Sequence, residues 1–171
     1  MKRKIKVFVS YAKSNKTAKE QFMAILSDYA GADARFEFEF WQDNQIAIGS
    51  DWNDSIHTAM AQCDVGVLLL SPAFLQSQYI TEKELPVLVK KPMLFPIALA
   101  PIDFKRHDLK GLQVKQIFRL DAKGLEQPRA FSELKSKRRQ EFVMRLYEAV
   151  HDQLVEKLSD IKSSATKKNK D

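Results

Sequence analysis

Short apolar segments alternate along this chain with longer segments of helical periodicity. Residues 5–10 are apolar and β-branched, and residues 65–70 are apolar without alternation, which is typical of a strand buried on both faces. Residues 35–41 alternate strictly and place three Phe side chains on one side. We therefore predict a strand there with one wet face, near an edge of the sheet. Residues 93–98 and 116–120 complete a set of about five predicted strands.

Helical spacing of apolar residues fills the segments between these strands. Helices are predicted over residues 16–29, 51–63 and 71–89, and a long one over about 132–158. The apolar stripe of the last helix consists of Phe142, Leu146, Val150, Leu154 and Leu158. Strands that alternate with helices predict an α/β domain, and right-handed crossovers restrict its topology. The predicted fold is a flavodoxin-like, doubly wound parallel sheet with helices on both faces.

The same pattern sets the predicted domain boundaries. Residues 1–158 form one predicted domain, and residues 159–171, where the apolar pattern stops, are predicted to be a polar tail or a linker. The net charge is +6, and the segment from Lys135 onward contains ten basic and six acidic residues. A solvated helix face explains this excess, and no nucleic-acid-binding module accompanies it. Nucleic acid is therefore not an expected partner.

Several classes of function lack their sequence signals here. The chain has no G-x-G-x-x-G, P-loop, G-x-S-x-G or H-E-x-x-H motif, which excludes the common nucleotide-binding loops and the serine hydrolase elbow. Its single cysteine, Cys63, lies on the inner stripe of a predicted helix and is interpreted as a core residue. Apolar runs are too short to span a bilayer, and no secretory signal pattern follows the basic N-terminus. We expect no membrane contact and a cytoplasmic location.

Three blocks, in order, resemble a TIR (Toll/interleukin-1 receptor) domain, particularly the bacterial kind. Residues 7–12 (VFVSYA) are similar to the first strand of the family and the loop after it. Residues 41–56 resemble the second strand, the BB loop and the following helix. Residues 68–85 resemble the third strand and the helix that carries the catalytic glutamate of the family, and Pro96-Ile97 matches the fourth strand. The order and spacing of the blocks, from about residue 4 to about residue 155, carry the resemblance.

The resemblance implies an activity and a mode of assembly. Many bacterial TIR domains cleave NAD⁺ at the nicotinamide–ribose bond, give nicotinamide plus ADP-ribose or a cyclic form, and act in anti-phage defence after self-assembly. By this resemblance the chain is an NAD⁺ hydrolase that uses NAD⁺ as substrate and needs no cofactor. Its implied partners are other TIR domains, bound through the BB loop between Gln42 and Gly49, and a fused or separate sensor domain. The alternative is a non-catalytic TIR scaffold that acts through homotypic contacts.

Glu84 is the candidate catalytic residue, because it and Leu85 match the glutamate and its neighbour in the family. Nicotinamide is already a cationic leaving group in NAD⁺, so one carboxylate that stabilises an oxocarbenium-like transition state is chemically sufficient. Tyr79 precedes Glu84 by five residues, whereas several similar proteins have a four-residue step. Glu82 is therefore a rival. The two acids would lie about 200° apart on a helix, so only one can face a cleft.

The remaining candidates follow the carboxyl ends of the predicted strands, where ligands of such sheets bind. They are Tyr11, Lys13, Asp43, Gly49, Trp52, Ser71 and Tyr79. An aromatic ring after the first strand can stack on a base, and a lysine can attract a pyrophosphate. Asp43 and Gly49 are expected to shape the BB loop. Trp52 is either a core residue or a ligand contact, and Ser71 either caps the next helix or contacts ribose.

Overall fold

The computed structural model describes residues 1–41 and 51–168. The whole of the predicted BB loop, Gln42–Gly49, lies outside the described residues, and Asp43 and Gly49 lie outside them with it. The first elements are β1 (Arg3–Ser10), α1 (Lys16–Gly31), β2 (Phe36–Phe40), α2 (Trp52–Gln62) and β3 (Val65–Leu70). They are followed by α3 (Pro72–Gln76), a π-helical turn (Ile80–Glu84), α4 (Leu85–Leu88), β4 (Leu94–Ala98) and α5 (Ser136–Lys168). None of the helices within these ranges is long and apolar enough to cross a membrane.

The strands form one parallel sheet in the order β2-β1-β3-β4. Val7 of β1 pairs with Phe40 of β2 on one side and with Val65 of β3 on the other. Parallel strands need crossover connections, and here helices supply them on both faces of the sheet. Because strands are added on both sides of β1, the sheet is doubly wound, and the predicted flavodoxin-like fold class is confirmed.

The fifth predicted strand, residues 116–120, is reduced to a single pairing beside β4. The Phe118 amide donates to the Pro96 carbonyl, and the Phe118 carbonyl accepts from the Ala98 amide, each at 2.9 Å. Two residues later, Leu120 exchanges backbone hydrogen bonds with Arg129 in an antiparallel bridge, which turns the chain away from β4. The segment therefore takes the fifth position in the sheet without forming a regular strand.

Two apolar layers enclose the sheet. The core on one face joins β1 and β3 to α1 and α5, where Phe22 and Phe142 meet edge to face with ring centroids 6.5 Å apart. The core on the other face lies under α2, α3 and α4. Strand β3 is buried at every position, as its unbroken apolar run predicts. Strand β2 alternates buried or half-buried Phe with exposed Glu and lies at the sheet edge, also as predicted.

The last helix is longer than predicted. The apolar stripe docks as expected, since Phe142, Leu146 and Leu154 are all buried against the sheet. The predicted end near residue 158 is wrong, because α5 continues to Lys168. Residues 159–167 are exposed, and Ser and Thr hydroxyls along them bond to backbone carbonyls of the same helix. Local hydrogen bonding thus continues the helix after its apolar contacts stop, and the division into a domain and a linker stays a prediction.

The helix predicted over residues 71–89 is broken into separate pieces. Ser71 caps α3, since its Oγ accepts a hydrogen bond from the Phe74 amide at 3.0 Å, and Pro72 occupies the first turn. Helix α3 ends at Gln76, and the π-helical turn then leads directly into α4. The interruption lies at the carboxyl edge of the sheet and shapes the site described next.

Candidate active site

A cleft of about 450 Å³ opens beyond the carboxyl end of β1. The chain leaves β1 and β3 toward opposite faces of the sheet, and such switch points are where ligands of doubly wound sheets bind. Six predicted site residues fall within the described part of the chain. Five of these line the cleft, namely Tyr11, Lys13, Trp52, Tyr79 and Glu84. Ser71 does not line it.

A larger groove of about 780 Å³ runs along β4 at the edge of the sheet, between residues 114–121 and α5. None of the six predicted site residues that the structure describes lines this groove. Volume alone would favour it over the cleft beyond β1. The cleft beyond β1 is nevertheless the better candidate, because it combines a buried carboxylate with an aromatic wall.

Glu84 is the acid among the described residues that line the cleft. Its exposure is only 7%, and it is the last residue of the π-helical turn. Glutamate is rarely buried to this degree, because removing a carboxylate from water is costly unless other groups compensate for it. Glu82, in contrast, is exposed and accepts a hydrogen bond from Gln78 Nε2 at 3.1 Å. The two acids lie on different sides of the turn, and Glu84 is the one in the cleft.

An aromatic pair, Trp52 and Tyr79, forms one wall of the cleft. Their ring centroids are 5.3 Å apart with the planes inclined at 40°. The Tyr79 hydroxyl donates to Asn53 Oδ1 at 2.9 Å, which ties this segment to the first turn of α2. Trp52 is 41% exposed and is therefore not a core residue, although its helical spacing allowed that interpretation. The first buried position of α2 is Ile56. A ring this exposed beside a cleft can stack on a planar ligand.

Two lysine side chains lie against aromatic rings of the site; Lys13 lines the cleft itself, and Lys19 lines a neighbouring cavity beside Tyr11. Lys13 Nζ is 5.2 Å from the centroid of the Trp52 ring, and Lys19 Nζ is 4.6 Å from that of Tyr11. Cation–π contacts at exposed positions contribute only about 0.5–1 kcal/mol, so an anion bound in the cleft can draw the Lys13 side chain away from the Trp52 ring. The mouth of the cleft therefore presents positive charge to an entering ligand.

Ser71 connects the loop after β1 to the end of β3. Its Oγ donates to Asn15 Oδ1 at 2.6 Å and accepts from the Phe74 amide, and the residue is fully buried. The structure thus supports the helix-cap interpretation of Ser71 over the ribose contact. Cys63 is buried as predicted, and burial raises the pKa of its thiol.

Two parts of the site have no counterpart in the sequence analysis. The floor of the cleft includes Phe8 and Trp41, which stack with centroids 5.3 Å apart. Ser77 also lines the cleft, and its Oγ accepts a hydrogen bond from the Ile80 amide at 3.3 Å. The sequence did contain one signal for the broken helix: Pro86, which lacks the amide hydrogen that a helix interior needs.

These features define a doubly wound α/β domain with a ligand cleft at its switch point. A comparison with protein families matches residues 7–135 to the TIR domain. This match covers three quarters of the chain, and the chain therefore belongs to the TIR domain family. A comparison with curated proteins found no match.

Proposed function

We propose that this TIR domain cleaves NAD⁺ at the nicotinamide–ribose bond and releases nicotinamide together with ADP-ribose or a cyclic form. The observation that carries the proposal is the buried Glu84 carboxylate, which shares a cleft with the rings of Trp52 and Tyr79. Membership of the family supports the proposal without deciding it, since other TIR domains act as scaffolds.

The reaction requires little from the protein beyond one negative charge and correct positioning. The bond between ribose C1′ and the nicotinamide nitrogen breaks, and its electron pair returns to the ring, which leaves as a neutral molecule. Positive charge then develops on the ribose, and a carboxylate beside it stabilises the transition state. In hydrolysis a water oxygen bonds to C1′ and releases one proton. Glu84 is the group in the cleft that is suited to stabilise this charge.

The rest of the cleft offers contacts for the two ends of a dinucleotide. Trp52 and Tyr79 present aromatic faces to a nicotinamide or adenine ring. Lys13 supplies positive charge at the mouth for the pyrophosphate, and Tyr11 adds a further ring to the lining of the cleft. Asp43 and Gly49 lie outside the described residues, and their contribution through the BB loop stays a prediction.

The test is nicotinamide release from NAD⁺ by the purified chain, with Glu84→Gln as the variant and Glu82→Gln as the matched control. Both changes remove one carboxylate charge from the same turn. We expect Glu84→Gln to lower the rate by about 10²–10³ and Glu82→Gln to leave it at the parent value, with both proteins melting at the parent temperature. A Glu84→Gln protein that turns over NAD⁺ as the parent does would refute the role of Glu84.

Assembly belongs to the same proposal. The BB loop carries Ile46 and Ile48 between polar ends, and apolar residues on a loop are typical of a partner surface. We place this assembly in the cytoplasm, as part of an anti-phage response triggered by a sensor domain. A scaffold without turnover would assemble equally well with Gln at position 84 and release no nicotinamide, so the same two variants also distinguish this alternative.

A further inference from the structure

The spacing of Tyr79 and Glu84 does not fit an α-helix. Five helical steps of about 100° place two side chains about 140° apart, which would direct them to different sides. Both residues nevertheless line the same cleft. The π-helical turn accounts for this, because the Leu85 amide donates to the Ile80 carbonyl five residues earlier. Residues five apart then take the stacked positions that residues four apart have in an α-helix.

The spacing of the buried apolar side chains in this segment also indicates one residue more than an α-helical turn holds. Ile80, Leu85 and Leu88 are buried, at intervals of five and three residues. In an uninterrupted α-helix the position between Ile80 and Leu88 on the apolar face would belong to Glu84. The widened turn gives that position to Leu85 instead and leaves Glu84 beside the cleft.

Pro86 at one end of the turn disfavours an uninterrupted helix, and hydrogen bonds fix the other end. Pro86 would lie in the interior of an uninterrupted helix, where its ring clashes with the carbonyl of the residue four positions earlier. At the other end, the Thr81 amide and the Thr81 hydroxyl donate to the Ser77 carbonyl at 3.0 Å and 2.8 Å. These two hydrogen bonds hold the first residues of the turn in place.

We infer that the π-helical turn absorbs one residue more than an α-helical turn holds, and that this widening keeps the Glu84 carboxylate in the cleft with Tyr79 despite their five-residue step. The extra residue lies on the solvent side, where Glu82 and Lys83 are exposed. The consequence for turnover rests on the proposed function, whereas the geometry of the turn does not.

A deletion tests the inference directly. Removing Lys83 in a Pro86→Ala background shortens the step from Tyr79 to Glu84 to four residues, which a regular α-helix accommodates with both residues on one side. We expect the melting temperature and the NAD⁺ cleavage rate to stay near those of Pro86→Ala alone. Removing both Glu82 and Lys83 in the same background rotates Glu84 by about 100° and should abolish cleavage. An equal loss of NAD⁺ cleavage from the single and the double deletion would overturn the inference.

A second measurement does not depend on activity. Glu84→Cys or Glu82→Cys is introduced into Pro86→Ala and into its Lys83-deleted form, and the labelling rates with a small thiol reagent are compared. Cys63 gives little background, because it is buried and burial raises the pKa of its thiol. We expect position 84 to react about tenfold more slowly than position 82 in both proteins.

The two readouts separate the inference from the proposed function. Protection at position 84 in both proteins, combined with no NAD⁺ cleavage by the parent chain, would reject the proposed function and support the inferred geometry. Cleavage by the parent chain, combined with rapid labelling of position 84 after the single deletion, would support the function and reject the geometry.

Discussion

Replacing Asp33 with Asn tests how the connection between α1 and β2 is anchored to α5. The Asp33 side chain is fully buried at the end of the sheet away from the cleft. Its carboxylate accepts hydrogen bonds from the Tyr147 hydroxyl at 2.6 Å and from the backbone amides of Arg35 and Phe36 at 2.8 Å. His151 Nδ1 lies 2.6 Å from the same carboxylate and must donate to it, since an ionised carboxylate only accepts.

The size of the effect follows from the pKa of Asp33. Burial opposes the charged form, but the hydrogen bonds from Tyr147, from the two backbone amides and from His151 together lower the pKa of Asp33 from 3.8 to about 2. One pKa unit corresponds to about 1.4 kcal/mol, so the charged form contributes about 2 kcal/mol to folding at neutral pH. Because the pKa is lower in the folded state, this contribution is complete above the unfolded-state pKa of 3.8 and is lost as the pH falls toward 2.

Urea unfolding of the parent and of Asp33→Asn, measured from pH 7 down to pH 2, is the assay. We expect the variant to be less stable by about 2 kcal/mol at pH 7 and the difference to shrink as the pH falls below about 4. Asp28→Asn, at an exposed position of α1, is the control and should stay within about 0.5 kcal/mol of the parent. A stability difference that does not change with pH would refute the assignment of the effect to the Asp33 charge.

Three further predictions address the site, the assembly and the last helix. Trp52→Ala should weaken NAD⁺ binding by about 0.5–1.5 kcal/mol, seen as a higher KM, without changing the melting temperature, because the ring is half exposed; an unchanged KM would remove Trp52 from the binding site. Specific activity should rise with protein concentration, and Ile46→Asp should suppress that rise. Specific activity that stays constant over a roughly hundredfold range of protein concentration would contradict activation by assembly. Leu146→Asp should unfold the protein at a cost above about 4 kcal/mol, since the side chain is 1% exposed, whereas deletion of residues 163–171 should leave the melting temperature unchanged. A drop of several degrees after that deletion, roughly the effect of 1 kcal/mol, would show that this segment is packed.

Local periodicity determined much of the fold, because the side of an element that meets the core is a direct consequence of its repeat. The unbroken apolar run of β3 indicated a central strand, and the alternation in β2 indicated an edge strand. Both strands occupy these positions in the sheet. The stripe from Phe142 to Leu154 likewise predicted the docked face of α5. The order of strands and helices, together with the three blocks of sequence, also determined the family, which the match to residues 7–135 confirms.

Other features depend on contacts between segments that are distant in sequence. Residues 116–120 carry the pattern of a strand, but the bridge from Leu120 to Arg129 limits them to one pairing beside β4. Trp52 has the spacing of a core-facing residue of α2, yet it is exposed, and its ring pairs with Tyr79 on the same wall of the cleft. The choice between Glu82 and Glu84 could not be made from spacing, because a regular helix is a poor description of this segment. The packing of Ile80, Leu85 and Leu88 and the presence of Pro86 widen the turn by one residue, and only that tertiary constraint brings Glu84 into the cleft.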